Sequence, residues 1–141
     1  LRLLDAADRP SGALRDRLID KGYDDETVAA VVDRLIEVGL VDDESYAQSA
    51  VRYCVGRLMG YRGAVMELAR KGVDRPLAER VCDEARMSGV FEDAAWELGR
   101  RSAAKTQGMD PKVRKRRFWS SGGRKGHDAE TLRAVAHELF D

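Results

Sequence analysis

The chain has 141 residues, of which 43% are hydrophobic, 35% charged and 6% aromatic, and its formal net charge is zero. This length suits one ordinary domain, and the composition excludes a membrane protein, because no apolar run approaches the roughly 20 residues that a spanning helix needs. The zero net charge conceals an asymmetry. Residues 1–60 hold 8 basic and 12 acidic residues, whereas residues 100–125 hold 10 basic residues and one acid. The C-terminal part is therefore a basic segment.

The first predicted element is a short helix over residues 1–8, ended by Arg9-Pro10-Ser11-Gly12. The next helix runs into "KGYDDETV" at 21–28, and this signal recurs as "KGVDRPLA" at 71–78 and "KGHDAETL" at 125–132. Lys suits the negative end of a helix, Gly adopts the left-handed conformation that ends it, and Asp caps the next helix through its side chain. The signal therefore predicts three corners of one geometry, at 22–24, 72–74 and 126–128.

The residue between Gly and Asp in each corner is expected to be a buried plug: Tyr23, Val73 or His127. Each corner is followed by a helix with one apolar stripe, since apolar residues recur at helical spacing. In the first copy the stripe comprises Val28, Val31, Val32, Leu35 and Ile36. Gly39 and Gly89 end these helices, and a third helix follows, with caps expected at Asp42 or Asp43 and at Glu92 or Asp93.

Residues 21–46 and 71–96 align without a gap at an offset of 50, and residues 125–140 match at an offset of 104. A fixed period of this size is typical of stacked repeats. The sequence thus predicts an all-α fold: an elongated, right-angled, solenoid-like stack of tandem three-helix repeats. The predicted domains are a leading helix with repeat 1 over 1–60, repeat 2 over 61–109, and a partial, basic repeat 3 over 110–141.

Candidate catalytic or metal-binding residues are few. Cys54 and Cys82 form no CxxC motif and fall in apolar helical patterns, so they are interpreted as reduced, buried thiols. His127 and His137 have no partner at metal-ligand spacing. Tyr46 and Trp96 occupy matching repeat positions, which favours core packing over a platform for base stacking. We expect no enzyme, no cofactor and no metal.

The strongest functional signal is the basic run "KVRKRRFWSSGGRKG" at 112–126. Such a run offers phosphate-reaching side chains to nucleic acid or cations to an acidic protein surface. A merely solvated basic helix face is the alternative. The candidate binding residues are Lys112, Arg114, Lys115, Arg116, Arg117, Arg124 and Lys125. A helix–turn–helix reader of DNA is less favoured, because the corner recurs three times as part of the scaffold.

The stretch "LRLLDAADRPSGALRDRLIDKGYDDETVAAVVDRLIEVGLVDDESYAQSAVR" resembles the RecX regulatory proteins of bacteria. It has a leading helix, an Arg-Pro-Ser turn, a helix ending in Lys-Gly, and a further helix that ends in the motif L-x-x-x-G-x-[LV]-[DN]-D-x-x-[FY]-A. The residues of that last motif are Leu35, Gly39, Leu40, Val41, Asp42, Asp43, Tyr46 and Ala47. "GYRGAVMELARKGVD" in the second unit also fits the family, whereas "FWSSGG" departs from its usual apolar helix.

The resemblance implies a negative regulator of the RecA recombinase that binds the groove of the RecA–DNA filament. Such a protein blocks filament extension and damps ATPase activity, strand exchange and the SOS response to DNA damage. It also implies a cytoplasmic, non-enzymatic protein, here expected to be a monomer, whose direct contact with DNA is left open. The alternative is a helical nucleic-acid-binding protein that acts without RecA.

Overall fold

A computed structural model describes residues 9–141, and all eight of its regular elements are α-helices. They are α1 (Ser11–Asp20), α2 (Asp25–Glu37), α3 (Asp43–Gly56), α4 (Tyr61–Arg70), α5 (Arg75–Met87), α6 (Val90–Lys105), α7 (Pro111–Arg124) and α8 (Ala129–Phe140). The helix predicted over residues 1–8 lies outside the described residues. The all-α repeat fold is confirmed.

The three predicted corners are present. Gly22, Gly72 and Gly126 have φ angles of 99°, 102° and 85°, and the amide of the following residue bonds five residues back in each case. Asp24 and Asp128 cap the next helix, each accepting a 2.7 Å hydrogen bond from an amide three residues on. The cap predicted at Asp74 is wrong: its side chain makes no cap hydrogen bond. Pro76 in the first turn of α5 removes one of the amides that such a cap could use.

The plug position is buried in two corners of three. Val73 is 3% exposed and His127 is 9% exposed, but Tyr23 is 54% exposed, so its predicted burial is wrong. The reason is visible in the packing, since the second and third corners dock onto another part of the chain, as described below. Among residues 9–141 nothing lies within 4 Å of a Cβ built at Gly22 in the first corner.

The apolar stripe of α2 is narrower than its sequence suggests. Val28, Val32 and Leu35 are buried, whereas Val31 and Ile36 are 37% and 44% exposed. Among residues 9–141, the core around α2 is formed by α1 and α2 with Leu40 and Val41, and α1 covers only part of the face of α2. Periodicity therefore predicted the helix correctly but overestimated how many residues of its apolar stripe are buried.

The two predicted caps of the third helix behave differently. Asp42 accepts a hydrogen bond from the amide of Ser45 at 3.1 Å and caps α3 as expected, while Asp43 accepts one from the amide of Ser11 at 2.7 Å and ties α3 to α1. In the second copy α6 begins at Val90 directly after Gly89, without a side-chain cap. The caps expected at Glu92 or Asp93 are therefore wrong, because both residues already lie in the first turn.

Within residues 9–141, three separate cores follow one another along the chain. The first is built from α1 and α2, the second from α3, α4 and α5 with Phe91, and the third from α6, α7 and α8. The predicted boundaries at 60/61 and 109/110 fall inside the second and third cores. The second and third cores each begin one helix before the predicted repeats 2 and 3, and α6 to α8 together pack around one core.

Neighbouring units are joined at their corners by close backbone contact. A Cβ added to Gly12 at the start of α1 would lie 2.3 Å from the carbonyl oxygen of Gly72. The same contact recurs farther along, because a Cβ added to Gly126 would lie 2.1 Å from the amide nitrogen of Gly63 in α4. The second corner thus packs on the first turn of α1, and the third corner packs on the first turn of α4.

Candidate functional site

The docking of the third corner brings α7 beside the α3–α4 joint. The amide of Gly60 donates a 2.8 Å hydrogen bond to the carbonyl of Lys125, and Lys125 Nζ donates one of 2.7 Å to the carbonyl of Arg57. His127 Nε2 lies 2.8 Å from the carbonyl of Leu58, which itself holds a left-handed φ of 63°. A carbonyl can only accept, so Nε2 carries the proton. These bonds fix the basic end of α7 against the end of α3.

A cleft of about 500 Å³ opens at this junction, between the end of α3, the second half of α6, and α7. We call it the basic cleft. Its charged lining residues are Arg57, Arg101, Lys105, Arg117 and Lys125. Small and apolar groups complete its wall, among them Gly56, Leu98 and Ser121. Five cations on or directly after three helices therefore surround one concave surface, and no carboxylate of residues 9–141 lines it.

Carboxylates neutralise little of this charge. Arg101 Nε lies 3.0 Å from an oxygen of Glu97, one turn earlier on α6, and Arg100 pairs with the same carboxylate. Hydrogen bonds from Arg101 and Arg100 hold the pKa of Glu97 below its usual range, so this acid stays ionised. Within residues 9–141 no ion pair joins Arg57, Lys105 or Arg117 to a carboxylate. The cleft is consequently a strongly positive, solvent-open surface.

A second groove of about 510 Å³ adjoins the basic cleft and shares Arg57, Ser121 and Lys125 with it. We call it the Tyr53 groove. Its other lining residues are Tyr53, Met59, Glu67 and Arg124. Glu67 is paired with Arg70, and its pKa is lowered chiefly by that hydrogen bond. The basic cleft and the Tyr53 groove form one continuous track along the junction.

The seven residues predicted as a binding set are only partly brought together. Arg117 and Lys125 line the basic cleft, and Arg124 lines the Tyr53 groove, where it donates to Ser120 Oγ at 2.7 Å. Lys112 and Arg116 are exposed outside both.

The other two members of the set make contacts within the protein. Lys115 forms an ion pair with Asp141. Arg114 donates to Thr106 Oγ1 at 3.1 Å and to the carbonyl of Ala103 at 3.0 Å, and its guanidinium lies 5.4 Å from the ring centre of Phe140. Arg114 therefore fastens α7 to the end of α6 and to α8.

Three of the five charged lining residues were missed by the prediction from sequence: Arg57, Arg101 and Lys105. Arg101 and Lys105 belong to the basic segment 100–125, so the charge count contained them, although the choice of the densest run left them out. Arg57 carries no comparable signal, because it precedes Lys125 by 68 residues and joins the cleft only through the docked corner.

The other candidate groups are structural. Cys54 and Cys82 are free and buried in the second core, and burial is the main cause that raises their pKa, to about 12 for Cys82. Tyr46 and Trp96 are half-buried against the second and third cores, as the repeat alignment predicted. Across residues 9–141 no group of three potential metal ligands is found. In the same part of the chain, no helix has the length and apolarity to cross a membrane.

Comparison with known proteins gives a consistent set of similarities. A family model for the first three-helix domain of RecX matches residues 1–35. The regulatory protein RecX of Thermobifida fusca is 38% identical, over 99% of this chain and 76% of that protein. The RecX protein of Mycobacterium sp. strain JLS is 49% identical over 52% of this chain, which is 41% of its own length. The crystal structure of RecX from Lactobacillus salivarius has a TM-score of 0.79 at 20% identity and covers 93% of this chain and 85% of that one. That structure shares the fold.

Proposed function

Because the chain belongs to the RecX family, we propose that it is a negative regulator of the RecA recombinase that binds the groove of the RecA–DNA filament. In this role it blocks filament extension, and it thereby damps ATPase activity, strand exchange and the SOS response. It acts in the cytoplasm as a monomer and performs no chemistry of its own. The family resemblance supports the choice of partner, and the charged surface of the protein supports the proposed point of contact.

The observation that carries the proposal is the basic cleft. A RecA–DNA filament presents phosphates and acidic side chains in a groove, and both attract a concave surface lined by five cations. Of these, Arg57, Lys105 and Arg117 are free of carboxylate partners in the described part of the chain, so they are available to an external anion. Lys112, Arg116 and Arg124 extend the positive surface along α7. Arg114 and Lys115 contribute mainly through the positions that they give to α7.

A second candidate function is nucleic-acid binding without RecA. The same cleft favours it, because its arginines and lysines suit a phosphate backbone irrespective of any protein around it. The two candidates differ in whether RecA is needed. Inhibition of RecA at concentrations of this protein that leave free DNA unbound supports the filament regulator. Inhibition that appears only at concentrations at which this protein binds free DNA supports the second candidate.

The test measures RecA ATPase activity on single-stranded DNA at rising concentrations of this protein. The cleft variant is Arg57→Ala with Arg117→Ala, and the control is Arg15→Ala with Arg133→Ala, which removes the same charge from exposed positions outside the cleft. We expect the cleft variant to inhibit at least tenfold less well than the wild-type protein, about 1.4 kcal/mol of binding free energy. The control variant should inhibit as the wild-type protein does.

Salt dependence provides the second reading of the same experiment. Each phosphate contact with a single strand contributes a slope of about −0.7 to the logarithm of affinity against the logarithm of salt concentration. The cleft variant should therefore lose about 1.4 from that slope. Equal inhibition and equal slopes for the cleft variant and the control would overturn the assignment of the cleft.

A further inference from the structure

Tyr53 is an exposed aromatic residue at one end of the positive track. It lies in the last turns of α3, and 55% of its surface is accessible. The Arg57 guanidinium lies 5.7 Å from the centre of its ring, and Lys71 Nζ lies 5.1 Å from it. The ring also lines the Tyr53 groove, together with the cations Arg57, Arg124 and Lys125 and one carboxylate, Glu67, which is paired with Arg70. An aromatic face is thus set among cations that come from α3, from the end of α4 and from α7.

We propose that Tyr53 is a stacking platform for an unpaired base, and that the basic cleft and the Tyr53 groove together bind single-stranded nucleic acid. The inference rests on the proposed anion-binding role of the cleft and specifies its ligand. Proteins that bind single strands combine a positive groove along the backbone with aromatic side chains on which bases stack. Both parts are present here and are continuous through Arg57 and Lys125.

The contacts that Tyr53 already makes do not oppose this role. A cation–π contact at an exposed site is worth about 0.5–1 kcal/mol, whereas stacking of one base on an aromatic ring is worth about 1–3 kcal/mol. A base can therefore displace Arg57 or Lys71 from the ring. The displaced cation then lies beside the phosphates that flank the stacked base and attracts them.

A single strand fits these features better than a duplex does. Bases of a duplex are stacked on each other and offer no free face to a protein ring, so a duplex gains only from the cations of the track. The other large aromatics near the junction lack the required exposure, since Trp96 and Trp119 pack against the third core. Tyr23 is nearly as exposed as Tyr53, at 54% against 55%, but lines neither the cleft nor the groove.

Fluorescence anisotropy with end-labelled oligonucleotides tests the proposal. The probes are an oligo-dT of about 15 nucleotides, the same oligomer with abasic sites throughout, and a duplex of equal length. The variants are Tyr53→Ala and Tyr53→Phe, with Tyr23→Ala as the matched control. Because Tyr53 is exposed, the thermal midpoint of each variant should equal that of the wild-type protein, and melting curves check this.

We expect Tyr53→Ala to weaken binding to oligo-dT about tenfold, while the duplex and the abasic strand lose less than about twofold. Tyr53→Phe keeps the ring and should bind within about twofold of wild type, and Tyr23→Ala should match wild type. The slope of affinity against salt should not change in Tyr53→Ala, because the substitution removes no charge.

Two outcomes would overturn the inference. An equal loss on all three probes would mean that Tyr53 only positions Arg57 and Lys71, and no loss on oligo-dT would mean that no base stacks there. Neither result affects the cleft variant, whose weaker inhibition of RecA and flatter salt slope test the proposed function separately. Conversely, an unaffected cleft variant would remove the proposed function whatever Tyr53→Ala does.

Discussion

Gly72 in the second corner lies directly against Gly12 in the first turn of α1. A Cβ on Gly12 would lie 2.3 Å from the Gly72 carbonyl oxygen, and a Cβ on Gly72 would lie 2.5 Å from the amide nitrogen of Ala13. Real Cβ atoms do not approach backbone atoms so closely, so both positions require glycine. With the hydrogen bonds from Ser11 to Asp43, this contact attaches the first unit to the second.

Substitution of Gly72 should therefore cost more than substitution of a corner glycine alone. Gly72→Val and Gly22→Val impose the same left-handed strain, of about 1–2 kcal/mol, because their φ angles are 102° and 99°. Only Gly72→Val also drives side-chain atoms into α1, which adds about 1–3 kcal/mol. Chemical denaturation of both variants measures the difference. Equal free energies of unfolding would show that the Gly12–Gly72 contact contributes nothing.

Arg114 should matter more for stability than for binding. Arg114→Ala removes hydrogen bonds from a cation to Thr106 and to the carbonyl of Ala103, and we expect a loss of about 1–2 kcal/mol in the free energy of unfolding. Arg116→Ala on the same helix removes an exposed cation and should change stability by less than about 0.5 kcal/mol. Thermal melts compare the two variants. A fully stable Arg114→Ala variant that binds RecA–DNA filaments weakly would instead place Arg114 in the interface.

His127 should make stability depend on pH near neutrality. Burial lowers the pKa of His127 below 6.5 in the folded protein. The hydrogen bond to Leu58 and the charge of Asp128 raise this pKa, but burial has the larger effect. The unfolded chain therefore takes up the proton first as the pH falls. The stabilising contribution is complete above about pH 6.5 and is lost as the pH falls towards the folded-state pKa.

Denaturation between about pH 7.5 and pH 5 checks this dependence. His127→Gln should flatten the loss of stability on acidification, whereas His137→Gln, at an exposed position, should retain it. The carboxylates with lowered pKa values, such as Asp24 and Asp128, act at more acidic pH and do not obscure the comparison. A wild-type protein equally stable at both ends of this range would contradict the prediction.

The two thiols should be unreactive in the folded protein. Cys54 and Cys82 are both inaccessible, and burial raises the pKa of each, so almost no thiolate exists near neutral pH. In the native protein, a chromogenic aromatic disulfide should react with neither cysteine within minutes. After denaturation it should react with both. Rapid modification of one thiol in the native protein would show that the second core opens readily.

The sequence by itself determined the local structure of this protein. Lys-Gly-x-Asp specifies a helix end, a left-handed glycine and a new helix start within four residues, and these are short-range events that need no other part of the chain. The corners at 22–24, 72–74 and 126–128 and the apolar stripes at Val28 and Val32 could therefore be predicted. Burial of the residue after the corner glycine depends on contact with a distant part of the chain, so the local pattern did not predict the exposure of Tyr23.

Only the tertiary structure decided how the units group and where the functional surface lies. Periodicity gives the length of a repeat but not the helix at which a repeat begins, because a helix inside a repeating array has a neighbour on each side. Side-chain packing decides this, and it assigns α3 to the core of α4 and α5. The basic cleft depends likewise on the docking of Gly126 against Gly63, which brings Lys125 to Arg57 across 68 residues. A charge count along the chain finds the basic segment, but the concave site arises only when backbone contact between distant glycines brings three helices together.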